Sequence, residues 1–302
     1  MDKLVERDAA ARNPLTAAPA IAVQFFLIPL LVVGATVLVY IGFRGLLSEE
    51  RSAEEYLIDI QSGGTNRRWP AAYELSRLMA DPNFAKKEEA RLAPELTKAF
   101  ANSKADDPRV RQYLALALGR LTPPLAPDAQ QLLVDALNDQ DSQTRISALW
   151  ALGSTGDGKV APAIARLYDS EDAGVRKMSV YALGSMPADS GNDTLVKALE
   201  DPEPDVQWNA AIALARHGRN EGVPVLRRML DRTYVERNVT RQQQPRADID
   251  PVGEVMISGL RAISALKEST LSAQVRALST GDENLKVRQA AVETLKTLPG
   301  AG

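Results

Sequence analysis

One histidine, His217, and no cysteine leave this 302-residue chain little with which to do covalent or metal chemistry. Without thiols there is no disulfide, cysteine-ligated zinc or cysteine nucleophile. A multi-histidine metal site or a serine-histidine-acid triad would have to use that single ring. His217 closes the run Ala-Arg-His-Gly, where a capping role at a helix end is the simpler assignment. No glycine-rich phosphate loop, paired catalytic carboxylates or nucleophile elbow is visible. The expectation is therefore a protein without catalytic residues, metal or cofactor. The groups that could do recognition chemistry are arginines. From Arg216 to Arg246 eight of them stand against only Glu221, Asp231 and Glu236, in a chain of net charge −3. Arg227, Arg228, Arg232, Arg237, Arg241 and Arg246, with Tyr234 as an apolar handle, form the candidate partner-binding set. Their planar bidentate donors suit an acidic protein segment or, alternatively, lipid headgroups or another polyanion. The acidic overall balance argues against nucleic acid.

What must position these residues is a repeat. An acid, a short gap, Val-Arg or Thr-Arg, then Ala-Leu-Gly recurs at Asp107–Leu121, Asp141–Gly153 and Asp172–Met186, and more loosely at Asp205–Gly218. Aligned on the arginine, the positions are Arg111, Arg145, Arg176 and then Gln207, spaced by 34, 31 and 31. Weaker copies begin at Arg68, Met256 and Arg288. A self-similar helical period in the low thirties specifies an α-solenoid. Second helices are expected at 87–101, 128–138, 161–169, 193–199, 223–230 and 271–278. Arg68, Arg111, Arg145, Arg176 and Arg288 read as structural residues that bond across the loop or to the next repeat and lock register, with bidentate geometry explaining Arg over Lys. Gly119, Gly153 and Gly184 read as left-handed helix terminators. Trp150 and Tyr181 share one repeat position, five after the arginine, where packing is the default and an aromatic strip for a peptide the alternative. Trp69 and Trp208 are expected at the repeat surface or a junction. The period fails between Leu230 and Met256, which marks 231–251 as an inserted loop, and long insertions in repeat arrays are usually functional or disordered.

Ahead of the array, no charge occurs between Asn13 and Phe43. Residues 21–43 read as one transmembrane helix, a span needing about 20 apolar residues, preceded by a tail, 1–20. The poor cleavage site after Phe43 argues for a retained anchor over a signal peptide. Lys3, Arg7 and Arg12 before the span, against Arg44 and Arg51 after it, place the repeats on the extracytoplasmic side. Residues 44–64 read as a juxtamembrane helix and linker, with Ala53, Tyr56, Leu57 and Ile60 on one apolar stripe that could cap the first repeat. The repeat domain then runs over 65–302.

The frame D-x-x-V-R-x-x-A-x-x-A-L-G resembles HEAT repeats, specifically the short HEAT-like repeats of phycobilin lyases. The match is good from Asp107 to Leu230, weaker at Arg68 and Arg288, and faint near Met256. The resemblance implies an all-α, armadillo-like solenoid that recruits proteins along an extended face. A second HEAT-like family, deoxyhypusine hydroxylase, holds iron through several His-Glu pairs, which one histidine cannot supply. Together these features predict a single-pass, membrane-anchored scaffold or accessory subunit of a membrane assembly, with protein partners and no catalysis. The alternative is a chromophore lyase or isomerase of the HEAT-like type.

Overall fold

A computed structural model describes residues 28–47, 51–239 and 250–299, with side chains from 29 to 42 in the first segment. The chain divides into two units, Met1–Ser52 and Ala53–Gly302. In the first, helix α1 spans Ile28–Leu47. Its side chains are exposed at Leu30, Leu31, Val32 and Val33 in succession and again from Val37 to Ile41. Successive helical positions turn about 100°, so every face of α1 is apolar and uncovered. The described apolar part, Ile28 to Phe43 with Arg44 behind it, is shorter than the ~20 residues a span needs. No helix among the described residues is long and apolar enough to cross a membrane. The rest of the predicted span, 21–27, lies outside the described residues, as does the tail 1–20.

The second unit is an all-helical solenoid. It starts at Ala53 rather than at 65: helix α2 (Ala53–Ser62) buries Ala53, Leu57 and Ile60 in the same core as the first repeats. Gln61 donates to Glu95 at 3.0 Å, so this helix caps the first repeat with the apolar stripe read from the sequence. Seven first helices follow: α3 (Thr65–Met79), α5 (Pro108–Leu118), α7 (Ser142–Thr155), α9 (Ala173–Leu183), α11 (Pro204–Arg216), α14 (Pro251–Leu266) and α16 (Leu285–Thr297). Each packs against the next in one continuous row. Between them lie the second helices α4 (Pro82–Asn102), α6 (Pro127–Ala136), α8 (Ala161–Ala165), α10 (Asn192–Lys197), α12 (Val223–Met229) and α15 (Ser272–Gly281). Helices α8 and α10 tighten into 3-10 turns at 166–169 and 198–200. Helix α4 begins five residues earlier than expected, because Asp81 accepts from the Asn83 N–H and Pro82 takes the first helical position.

Acidic N-caps set the first helices. Asp107 accepts from the Arg109 N–H, Asp141 from Thr144 and Asp172 from Gly174, at 2.7–3.0 Å. Each satisfies a donor that the first turn leaves open.

The glycines after Ala-Leu do not end their helices in left-handed turns. Gly119 and Gly184 are right-handed, and Gly153 lies inside α7, whose left-handed end is Gly156. Their role is close approach. A methyl on Gly119 would fall 2.7 Å from the Ala151 backbone, on Gly153 3.0 Å from Ala182, and on Gly184 2.5 Å from the Ala213 methyl. Gly in one first helix therefore seats the Ala of the next, three times in succession.

The predicted loop 231–251 is not a loop at its start. Residues Arg232–Asn238 form helix α13, N-capped by Asp231, with Val235 fully buried. Asp250 caps α14 by accepting from the Val252 N–H. Residues 240–249 lie outside the described residues.

Candidate functional site

The aligned arginines build a ladder along the repeat loops. Arg111 Nε and Nη2 donate to the two oxygens of Asp139 at 2.8 and 2.7 Å. Arg176 donates in the same forked way to Asp201 at 2.9 and 3.0 Å. Arg68 pairs with Asp106. Each acid opens the following repeat. The carbonyls of Asp139 and Asp201 accept from that repeat's aligned residue, Arg145 and Gln207 respectively, both at 2.7 Å. Side chain and backbone of one aspartate thus join two repeats. Among the described residues Arg145 forms no forked pair with a carboxylate. Ser170 occupies the place of Asp139 and Asp201, and Arg145 instead donates to Ser142 Oγ at 2.8 Å.

The electrostatics follow burial. The Asp201 side chain is 1% exposed and Arg176 13%. Burial alone would raise the Asp201 pKa. Arg176, the Glu203 N–H and the Tyr168 hydroxyl outweigh it and hold the carboxyl below its ordinary value. Burial and that same carboxylate push Tyr168 up to about 12.

The Arg-rich candidate set is divided by this ladder. Arg232 belongs to it: its guanidinium forks onto Asp282 at 3.1 and 2.6 Å, with Asp250 and Glu283 at 3.7 and 3.2 Å. Arg288 in turn donates to the Asp282 carbonyl at 2.6 Å. Arg232 therefore supplies the rung that Met256, in the aligned position, cannot, and it is a structural residue rather than a free binding group. Arg228 bonds Gln207 Oε1 at 3.0 Å and lies over the Tyr234 ring at 5.8 Å. Tyr234 is half-buried; Arg227 and Arg237 are exposed, Arg237 Nε donating to the Thr233 carbonyl. Arg241 and Arg246 lie outside the described residues. Of the described members, Arg227 and Arg237 face solvent without a hydrogen bond to another side chain.

His217 sits at the C-terminus of α11, with Nδ1 2.8 Å from Asn192 Oδ1 and Nε2 3.1 Å from the Met186 carbonyl. It ties this helix end to the start of α10 and to the end of α9. Burial lowers its pKa, against the Met186 carbonyl, and Arg216 and Arg219 lower it further. No group of three or more potential metal ligands occurs among the described residues.

A second surface runs along the first helices. Arg109 stacks on Trp69 at 4.2 Å, Tyr73 meets Tyr113 edge-on at 5.2 Å, and Arg120 covers Trp150 at 4.6 Å. Trp150 is half-buried and Tyr181 39% exposed, so their shared position reaches the surface. Trp208 does not: it is 3% exposed, inside a second hydrophobic cluster, and its indole N–H has no partner. The signal for this row was the column five places after the aligned residue, which reads Tyr73, Leu116, Trp150, Tyr181, Ile212, Arg261 and Glu293. Five large apolar or aromatic residues precede the arginine, and that pattern appears only when the degenerate copies are aligned with the clear ones.

Residues 93–183 and 160–242 match the family of HEAT repeats, so this part of the chain is built of HEAT repeats. It is similar to the phycocyanobilin lyase subunit alpha of Microchaete diplosiphon, 29% identical over 155 residues, covering 45% of this chain and 52% of that one. The deoxyhypusine hydroxylase of Drosophila melanogaster is 27% identical over 157 residues, 44% of this chain and 52% of that one. The chain thus spans about half the length of the curated relatives it matches. Among solved structures it resembles an engineered protein (19% identity, 83% of this chain, 98% of that one, TM-score 0.45) and a designed armadillo repeat protein in complex with peptide (KR)4 (14%, 82% and 100%, TM-score 0.44).

Proposed function

We propose that this chain is a membrane-anchored, protein-binding scaffold or accessory subunit of a membrane assembly, without catalysis of its own. The observation that carries the reading is α1. A helix apolar on all sides is normally buried, in a large core or a membrane, yet Leu30 to Val33 and Val37 to Ile41 are exposed. Covering each such side chain gains about 1.5–3 kcal/mol. With residues 21–27 ahead of it, apolar but for Gln24, the uncharged stretch has the composition of a span. The charge bias of the flanks supports an extracytoplasmic solenoid. The test is flotation of the full chain with lipid vesicles after alkaline carbonate washing. Co-migration with lipid is expected; recovery in the aqueous fraction would remove the anchor. Protease protection in sealed vesicles then reads sidedness.

The partner surface in this reading comprises the aromatic row of the first helices and, from the Arg-rich segment, the exposed Arg227 and Arg237 with Tyr234, together with Arg241 and Arg246 of the same stretch of sequence. Crosslinking in native membranes followed by mass spectrometry identifies what sits on it. If the same segment instead grips lipid headgroups, R237E/R241E/R246E weakens binding to phosphatidylserine vesicles without altering any protein crosslink.

The lyase reading is favoured by the phycocyanobilin lyase similarity alone. It predicts visible absorbance when the purified chain is mixed with a bilin and then freed of unbound pigment. The scaffold reading predicts none.

A further inference from the structure

The arginine that breaks the aromatic and apolar column, Arg261, faces a groove of about 370 Å³ between α9, α11 and α14. Its floor is Ile212, Ala213 and Ala262, its wall Tyr181, and its charged lining Arg216 and Arg261. No carboxylate lines it. Neither arginine forms an ion pair among the described residues, whereas Arg111, Arg176 and Arg232 each hold an aspartate. The groove's two other polar side chains are satisfied within their own helices: Asn209 donates to the Asp205 carbonyl at 2.7 Å and Ser258 to the Glu254 carbonyl at 2.8 Å. Two exposed guanidinium groups therefore flank an apolar floor whose own lining holds no carboxylate; Glu254 and Glu293 share a neighbouring depression with Arg261.

The groove lies where the glycine contact stops. Gly119, Gly153 and Gly184 each admit the alanine of the next first helix, but the aligned residue of α11 is Ala215. An alanine cannot offer the bare Cα that those glycines present, so the junction of α11 with α14 lacks that contact, and Ala213, the last alanine seated on a glycine, lines the groove. The volume lies within the ~300–1,000 Å³ typical of ligand sites.

We infer that this groove between α9, α11 and α14 binds an acidic segment of a partner protein, seating one aliphatic or aromatic side chain on Ile212 and Ala262 while flanking carboxylates take Arg216 and Arg261. The fork of each guanidinium matches a carboxylate, and the apolar floor distinguishes such a segment from a bare anion. The inference rests on the protein-binding reading above and assigns that reading a site and a partner chemistry.

The test uses the full chain in detergent and a fluorescein-labelled peptide of alternating Glu and Leu, read by anisotropy. Binding is expected to weaken about tenfold for R216E or R261E, a charged hydrogen bond being worth that factor, and further for the pair. Lys98→Glu, at an exposed residue of α4 outside the groove, should leave it unchanged. A peptide of alternating Gln and Leu should bind at least tenfold more weakly than the Glu-Leu peptide. No binding of the Glu-Leu peptide overturns the inference, as does equal binding by the R216E/R261E chain or by the Gln-Leu peptide. An equal loss of binding in Lys98→Glu would make the effect one of net charge rather than of the groove and overturn it too. Membrane crosslinking separates this from the parent reading. If the wild type and R216E/R261E capture the same partner equally, the groove fails and the scaffold stands; if neither captures one, the scaffold reading fails.

Discussion

In the first hydrophobic cluster, from Ala53 to Leu214, three consecutive helix junctions close by one contact, a glycine seated against an alanine. The second cluster, from Trp208 to Leu298, meets the first within α11 and has Ala215 in the glycine's place. There Gly259 admits Met229 from a second helix instead. The ladder differs in the same way. Arg111 and Arg176 reach their aspartates from first helices at the aligned position, while Asp282 is reached by Arg232, 50 residues earlier and in a short extra helix. The acceptor role is kept in both regions and the donor is recruited from a different element. What this solenoid keeps from repeat to repeat is thus the bond between neighbours; the sequence position of the donor is free to move.

The largest effect should come from breaking a buried rung. Asp201→Ala leaves Arg176 buried without its carboxylate and should cost about 3–5 kcal/mol in urea unfolding. Arg232→Ala should cost a comparable amount, because Asp282 is 2% exposed, whereas Arg237→Ala should stay within about 0.5 kcal/mol. If Arg232→Ala is as mild as Arg237→Ala, the two regions do not share a ladder. Next in size is Gly184→Ala, whose methyl would meet the Ala213 methyl at 2.5 Å. Overpacking of this kind costs about 1–3 kcal/mol, and the thermal midpoint should fall. The converse Ala215→Gly, at a residue 3% exposed, loses helix propensity and a buried methyl, about 1 and 0.8 kcal/mol; a gain in stability instead would mean that the alanine is overpacked there and would erase the distinction between the junctions.

The smallest effect concerns pH. Burial lowers the His217 pKa in the folded chain, so the unfolded chain binds the proton more readily. Stability linked to this ring is present above the ordinary histidine value of about 6.5 and is lost as pH falls below it towards the folded value. His217→Gln should flatten the stability profile in that window. A wild-type profile already flat there would mean that the ring is not held neutral.

Most of the solenoid was legible because its period is written in residue types. The acid-to-arginine frame and its degenerate copies placed the seven first helices, and Asp107, Asp141 and Asp172 marked the starts of three of them, since a cap needs only a side-chain oxygen at one position. Three things were not legible. Arg232 looked like a free cation because its partner is 50 residues away, a distance no local pattern encodes. Gly119, Gly153 and Gly184 looked like helix terminators because a glycine needed for close packing and one needed for a left-handed turn are the same letter. The boundary at 65 was late because α2 carries the apolar stripe of a packed helix without the repeat frame.

By itself the sequence determined that this chain is a helical repeat array, without cysteine and with one histidine, and that an apolar segment precedes it. Those properties depend on composition and on spacing along the chain, which folding does not alter. Which arginines are committed and which are free was decided only by tertiary structure. Arg176, Arg232, Arg216 and Arg261 are chemically identical, and only the loop or groove each one faces gives it a carboxylate or leaves it without one.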